Sequence, residues 1–188
     1  MKLVRLLPAL LALPAAVLAQ EVRLKIDKAR SFIDVDVKAT VDSFVGRLEG
    51  YDAVIPLDPA GRIRTARIAF KFTDLKTGKT DRDAKMLEWL GGGVPEGKFD
   101  LGTLALAPDG QGVANGNLTF HGVTQRIEFP IQITKADDAT TIAGEATLDY
   151  RNWNLKVIRL MLALKVDPIV KVKFKLIGAP AAMPPGFK

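Results

Sequence analysis

The chain contains no cysteine and a single histidine, His121. Without cysteine it has no disulfides, no thiol nucleophile and no thiolate metal ligand, so its stability must come from packing. One histidine without thiolates does not make a zinc site, and Ser31 and Ser43 are the only serines available to a catalytic triad. The sequence therefore predicts no catalytic residues, no metal site and no enzymatic activity.

Aromatic residues that stack on nucleic-acid bases are also scarce, since the chain has two tryptophans and two tyrosines. Lysine and arginine total 27 against 21 acidic residues, and without Lys2 and Arg5 the balance is 25 against 21. Lys171, Lys173 and Lys175 alternate with apolar residues, which favours the solvated face of a strand over an anion-attracting patch. We therefore expect no nucleic-acid partner.

Long apolar runs are confined to the N-terminus, where Lys2 and Arg5 precede an apolar run from Leu6 to Leu18 and a small-residue site at Ala19. This pattern is typical of a secretory signal peptide, and the run is shorter than the ~20 residues of a membrane span. The alternative is an uncleaved N-terminal anchor. We expect a signal peptide at 1–19, a single domain at 20–178 and a flexible tail at 179–188. An exported chain without cysteine indicates the bacterial periplasm, with no transmembrane anchor after cleavage.

Apolar and polar residues alternate along about eight short stretches; in the stretch 31–38, for example, Ile33, Val35 and Val37 share one face. Such alternation predicts half-buried strands. One helix is predicted at 81–90, with Thr80 and Asp83 as a capping box and glycines 91–93 at its end. Because closure removes exposed sheet edges, the predicted fold is all-β with one short helix, a closed antiparallel β-barrel of about eight strands. A barrel of this size is either packed solid or holds one ligand, and the sequence leaves both open.

Two pairs of carboxylates are candidates for acid–base chemistry or cation binding. Asp34 and Asp36 share the outer parity of a strand, and Asp81 and Asp83 begin the predicted helix, where its dipole stabilises negative charge. Solvated and helix-capping roles are the favoured interpretation of both pairs. His121 precedes Gly122 at a predicted corner between strands, where hydrogen bonding to backbone is favoured over ligand contact.

The string GNLTFHGVTQRIEFPIQI, residues 116–133, predicts two strands joined at His121-Gly122 and resembles the signature of the YceI-like, polyisoprenoid-binding proteins. SFIDVDVKA, VGRLEGYDAVIPLDP, KTGKTDRDAKMLEWL and DYRNWNL resemble further segments of that family in the same order. The resemblance implies a lipocalin-like periplasmic barrel that holds a long isoprenoid or similar amphiphile. The chain departs from the family pattern at Lys85, where many relatives carry histidine, and at the glycine run 91–93.

We therefore expect a binding or carrier protein for a polyisoprenoid, isoprenoid quinone or similar lipid, with no other cofactor and with a homodimer as a further candidate state. The inward parity predicts an apolar ligand-binding lining of Ile33, Val35, Val37, Ile55, Ile68, Phe70, Phe72, Leu118, Phe120, Phe129, Ile131, Val172 and Phe174. Arg82, Lys85 and Arg126 are candidate head-group contacts. The alternatives are an envelope stress-related structural or interaction protein with a packed barrel and no lipid, and, least favoured, a hydrolase or isomerase.

Overall fold

The structure, a computed structural model, describes residues 21–40, 42–160 and 164–182. The predicted signal peptide at 1–19 lies outside these residues. Among the helices within them, none is long and apolar enough to cross a membrane.

The protein is all-β with one α-helix, α1 (Thr80–Trp89), and two short 3-10 turns at Phe72–Asp74 and Tyr150–Trp153. The strands are β1 (Val22–Ile26), β2 (Phe32–Ala39), β3 (Phe44–Leu48), β4 (Tyr51–Val54), β5 (Pro56–Leu57), β6 (Arg67–Lys71), β7 (Leu75–Lys76), β8 (Glu96–Leu106), β9 (Gln111–Phe120), β10 (Val123–Ala136), β11 (Ala139–Asp149), β12 (Arg159–Leu160) and β13 (Leu164–Ala182).

These strands form one strongly curled antiparallel sheet, a half-barrel consistent with a lipocalin-like fold. Neighbouring strands follow the order β4, β6, β8, β9, β10, β11, β13, β2, β3 and β7, and β1 pairs with both β13 and β5. The predicted closed barrel of about eight strands is therefore wrong in its closure and its strand count.

The reason lies in the segment that contains β3 and β4, which bends at Gly50 and changes partners. Arg47 of β3 pairs with Asp34 of β2, whereas Tyr51 of β4 pairs with Phe70 of β6. A Cβ at Gly50 would lie 2.5 Å from a carboxylate oxygen of Asp74, so a side chain at the bend would have to displace Asp74. The strand order begins with β4 and ends with β3 and β7, so this one segment contributes a strand near each edge of the sheet. The edge strands β4 and β7 are not joined by the hydrogen-bonded ladder that would close a barrel.

The corner predicted at His121-Gly122 is confirmed as a two-residue hairpin turn between β9 and β10. His121 and Gly122 have φ values of 49° and 70°, and Phe120 pairs with Val123. Positive φ at both central residues matches the right-handed twist of the flanking strands. The hairpin brings Phe120 and Phe129 to the inner face of the sheet.

Helix α1 begins one residue before the predicted helix, and its predicted capping box is wrong. Lys79 occupies the N-cap without a side-chain cap, and Asp83 instead accepts hydrogen bonds from the backbone N–H and hydroxyl of Thr77 at 3.0 and 2.6 Å. The glycine run 91–93 does end the helix, with φ values of 101°, 75° and 70°. Asp83 thereby ties the first turn of α1 to the loop that follows β7.

The C-terminal segment is paired further than the sequence predicts. The flexible tail predicted at 179–188 conflicts with β13, which extends to Ala182 and pairs there with Val22 of β1. Leu24 of β1 is completely buried, because this pairing places it between β13 and β5. Residues 183–188 lie outside the described part of the chain.

Candidate ligand-binding cavity

The concave face of the curled sheet and helix α1 line a cavity of about 1320 Å³. All thirteen side chains of the predicted apolar lining face it, including Ile33 of β2, Phe70 of β6 and Phe174 of β13. Eleven of them lie on strands, whose pleat places every second residue on the concave face, and Ile55 and Phe72 directly follow β4 and β6. The interior is therefore hollow, unlike the packed barrel of the alternative interpretation.

Phenylalanine rings form two connected groups on the cavity wall. Phe70 contacts Phe72 edge to face at a centroid distance of 5.3 Å, and Phe72 lies 5.5 Å from Phe120. In the second group, Phe129 lies 5.7 Å from both Phe99 and Phe174. Such ring pairs hold each other in defined orientations and give the cavity a firm apolar wall.

Helix α1 lies at the end of the sheet where β9 ends and β10 begins, which we call the helix end. Among the described residues that line the cavity, the side chains with a polar group are those of Tyr150, Asp42 and several residues of the segment 77–89. The rest of the lining is apolar. An amphiphile would therefore place its chain among the strands and its polar group at the helix end.

Arg82 makes both an aromatic and an ionic contact at the helix end. Its guanidinium carbon lies 3.8 Å from the ring centroid of Phe44, and one of its nitrogens lies 3.8 Å from a carboxylate oxygen of Asp42. The Arg82 side chain is 24% exposed, whereas that of Asp42 is 66% exposed. A guanidinium held on an aromatic face beside a largely solvated carboxylate remains able to accept a second anionic partner.

The other two predicted head-group contacts lie in different places. Lys85 is exposed and lines the cavity one turn after Arg82. Arg126 lies on the outer face of β10, where its Nε donates a hydrogen bond to Asn115 at 2.5 Å. It is not part of the cavity, because its parity is opposite to that of Ile127 and Phe129.

The sequence predictions missed the aromatic cluster that packs under α1. Trp153 is 1% exposed, stacks on Phe120 at 4.6 Å and donates from Nε1 to the carbonyl oxygen of Leu118 at 3.1 Å. His121 Nδ1 lies 2.9 Å from the carbonyl oxygen of Trp153 and must donate to it. Trp89 of α1 contacts Tyr150 at 5.0 Å. The segment DYRNWNL was the available signal, but its two aromatic residues do not reveal what they pack against.

Three of these four carboxylates make structural contacts, and the fourth, Asp81 in the first turn of α1, lines the cavity. On the outer face of the sheet, Asp34 accepts two hydrogen bonds from Arg47, both at 2.7 Å, and Asp36 forms an ion pair with Lys173. Asp83 bonds to Thr77, as described above. Among residues 21–40, 42–160 and 164–182, no three His, Cys, Asp or Glu side chains are grouped so that they could hold a metal ion.

Comparison with known proteins gives one family and several solved structures. A sequence model of the YceI-like domain matches residues 24–177. BcnA of Burkholderia cenocepacia superposes with a TM-score of 0.71 at 17% identity, covering 82% of this chain and 100% of its own. A polyisoprenoid binding domain from Saccharophagus degradans, implicated in plant cell wall breakdown, gives 0.65 at 16% identity, with 88% and 100% covered.

The Campylobacter jejuni YCEI protein gives a TM-score of 0.55 at 15% identity, with 77% of this chain and 87% of that one covered. At 15–17% identity, these superpositions show a shared fold alone. No curated protein matches the chain.

Proposed function

The chain belongs to the YceI-like family, and from that premise we propose that it is an exported, non-enzymatic carrier that holds a long apolar lipid in its cavity. A polyisoprenoid or an isoprenoid quinone is the ligand class that fits best. The observation that carries this proposal is the cavity of about 1320 Å³, whose wall is apolar except at the helix end.

The energetics of burial suit a long chain. Each methylene removed from water contributes ~0.8 kcal/mol, so about ten methylenes contribute about 8 kcal/mol before the costs of association. The cavity also exceeds the roughly 300–1,000 Å³ of ordinary small-ligand pockets. A ligand of this kind needs no reactive or charged group to be retained, which agrees with the shortage of nucleophiles in the chain.

Two further observations support the proposal. The polyisoprenoid binding domain of Saccharophagus degradans shares the fold along its whole length. The signal-peptide pattern at 1–19 supports export to the periplasm, where a lipid that is insoluble in water would need a carrier. The hollow interior gives no support to a packed interaction protein, and the homodimer stays a prediction.

Uptake of lipid by the purified mature chain tests the proposal. We expect the fluorescent apolar probe N-phenyl-1-naphthylamine to brighten on binding and to be displaced by geranylgeraniol or by an isoprenoid quinone. Ala66 lines the cavity just before β6, so the Ala66→Trp variant should fill the cavity. It should lose the fluorescence signal of the probe and keep the circular dichroism spectrum of the wild type. A wild-type chain that neither brightens the probe nor retains added prenyl lipid would contradict the carrier assignment.

For an anionic head group, we propose Arg82 and Lys85 as the contacts, because both line the cavity at the helix end. Arg82→Glu should weaken binding of geranylgeranyl phosphate about tenfold while changing binding of geranylgeraniol little, since a lost charge-assisted contact affects only the charged ligand. Arg126→Glu, on the outer face, is the matched control and should leave both ligands unaffected. Equal effects of the two charge reversals would remove this assignment.

A further inference from the structure

Three of the inward phenylalanine rings lie across glycines of the neighbouring strand. A Cβ built on Gly97 of β8 would lie 2.4 Å from Cζ of Phe70 on β6. A Cβ on Gly116 of β9 would lie 2.5 Å from Cζ of Phe99, and one on Gly144 of β11 would lie 2.7 Å from Cζ of Phe174. Real Cβ atoms essentially never approach closer than 3.0 Å, so each ring occupies the space of a missing side chain.

These glycines let the rings lie along the wall instead of projecting into the cavity. Phe99, Phe129 and Phe174 come from β8, β10 and β13, with β9 and β11 between them. Alternate strands of a sheet are about 9.5 Å apart, yet the adjacent ring centroids of this group are separated by 5.7 Å. The rings therefore lean across Gly116 and Gly144 and form a continuous aromatic wall over five strands.

We propose that Gly97, Gly116 and Gly144 determine the width of the cavity and so admit a methyl-branched prenyl chain in addition to a linear alkyl chain. A side chain at any of the three positions would push a ring off the wall and into the space of the ligand. A prenyl chain carries a methyl branch on every fourth carbon and is thicker than a linear chain, so it is the first ligand that a narrower cavity excludes. This inference rests on the proposed carrier function and adds the feature that selects the ligand.

Gly97 gives the cleanest test. The three heavy atoms nearest to its Cβ would all belong to the Phe70 ring, and its φ is not in the left-handed region, so the closest contact of an alanine there is with that ring. Gly116 and Gly144 are less suitable, because a Cβ would also lie 2.6 Å from the carbonyl oxygen of Asp100 or 2.7 Å from that of Pro130.

The experiment measures displacement of N-phenyl-1-naphthylamine by geranylgeraniol, which is branched, and by 1-octadecanol, which is linear. We expect Gly97→Ala to weaken geranylgeraniol binding about tenfold and 1-octadecanol binding much less. One methyl group more or less in an apolar pocket changes the relative affinity of two ligands by about tenfold or more. Phe70→Leu added to Gly97→Ala should restore the ratio, because the smaller side chain no longer meets the new Cβ. Gly102→Ala on the same strand is the matched control, since its Cβ would be exposed and would meet only the carbonyl oxygen of Asn115 at 3.3 Å.

A folded Gly97→Ala variant that keeps the wild-type ratio of geranylgeraniol to 1-octadecanol affinity overturns the inference. So does a double variant, Gly97→Ala with Phe70→Leu, in which that ratio is not restored. If Gly97→Ala does not fold, Phe70→Leu alone decides: it widens the cavity and should shift the ratio toward geranylgeraniol, and an unchanged ratio overturns the inference. A wild-type chain that binds neither alcohol overturns the carrier function itself and with it this inference.

Discussion

Replacing Ala146 by tryptophan should abolish lipid binding while leaving the fold in place. Ala146 lies on β11 opposite Val172 of β13, and its small side chain is part of the cavity wall. An indole at this position has only the cavity to enter, because the sheet lies behind it. The substitution therefore tests whether the cavity, as opposed to the outer surface, holds the ligand.

The magnitude follows from the surface that the indole would take from the ligand. An aromatic side chain covers roughly 150 Å² or more, and at ~25 cal/mol per Å² this is about 4 kcal/mol of lost burial. Since each 1.4 kcal/mol is tenfold in affinity, we expect roughly a several-hundredfold weaker prenyl lipid complex. The stability cost of the added bulk is smaller, about 1–3 kcal/mol.

Displacement of N-phenyl-1-naphthylamine by geranylgeraniol measures the affinity, and urea unfolding measures the stability. Ala143→Trp is the matched control, because it lies three residues earlier on β11, on the outer face beside Gln132 and Lys175. It should bind lipid as the wild type does. Undiminished binding by a folded Ala146→Trp variant, or equal losses in both variants, would show that the lipid is not held in the cavity.

Two predictions concern stability. Hydrogen bonds, chiefly from the backbone of Arg62, lower the pKa of Asp58 to about 2, so its carboxylate stabilises the fold above about pH 4 and ceases to do so as the pH falls toward about 2. Asp58→Asn should therefore be less stable than the wild type in urea at pH 7 and equally stable near pH 2; a gap that persists at pH 2 would contradict this. Trp153→Phe removes the hydrogen bond to Leu118 and should cost about 1–3 kcal/mol, whereas a variant as stable as the wild type would show that the bond contributes nothing.

The lining could be predicted from the sequence because strand parity is a local property. Once Phe129 and Ile131 are assigned to one strand, the pleat places them on one face regardless of how the sheet curls. The same holds for the His121-Gly122 corner, where the residue types demand a tight turn. Neither prediction required knowledge of which strands are neighbours.

Features that depend on distant contacts could not be predicted. The half-barrel arises from the bend at Gly50, where a single segment changes partners, and nothing in its sequence specifies those partners. Asp83 bonds to Thr77 in place of a capping box because the loop before α1 turns back toward the helix. The end of the chain pairs with β1 as far as Ala182 although its Pro and Ala content is typical of a loose tail.

Arg126 was predicted as a head-group contact from its charge, although strand parity already placed it on the outer face of the sheet. Its position between Gln125 and Ile127 gives it the outer face, and there it bonds to Asn115. Arg82 and Lys85 reach the cavity because a helix crosses the end of the sheet, which strand parity does not describe.

Mass spectrometry of organic extracts from the purified protein tests whether the cavity carries a lipid. We expect one long apolar lipid in stoichiometric amount, an isoprenoid or a quinone, released on extraction and absent from the Ala146→Trp variant. An empty protein that also takes up no added quinone or prenyl lipid would contradict it.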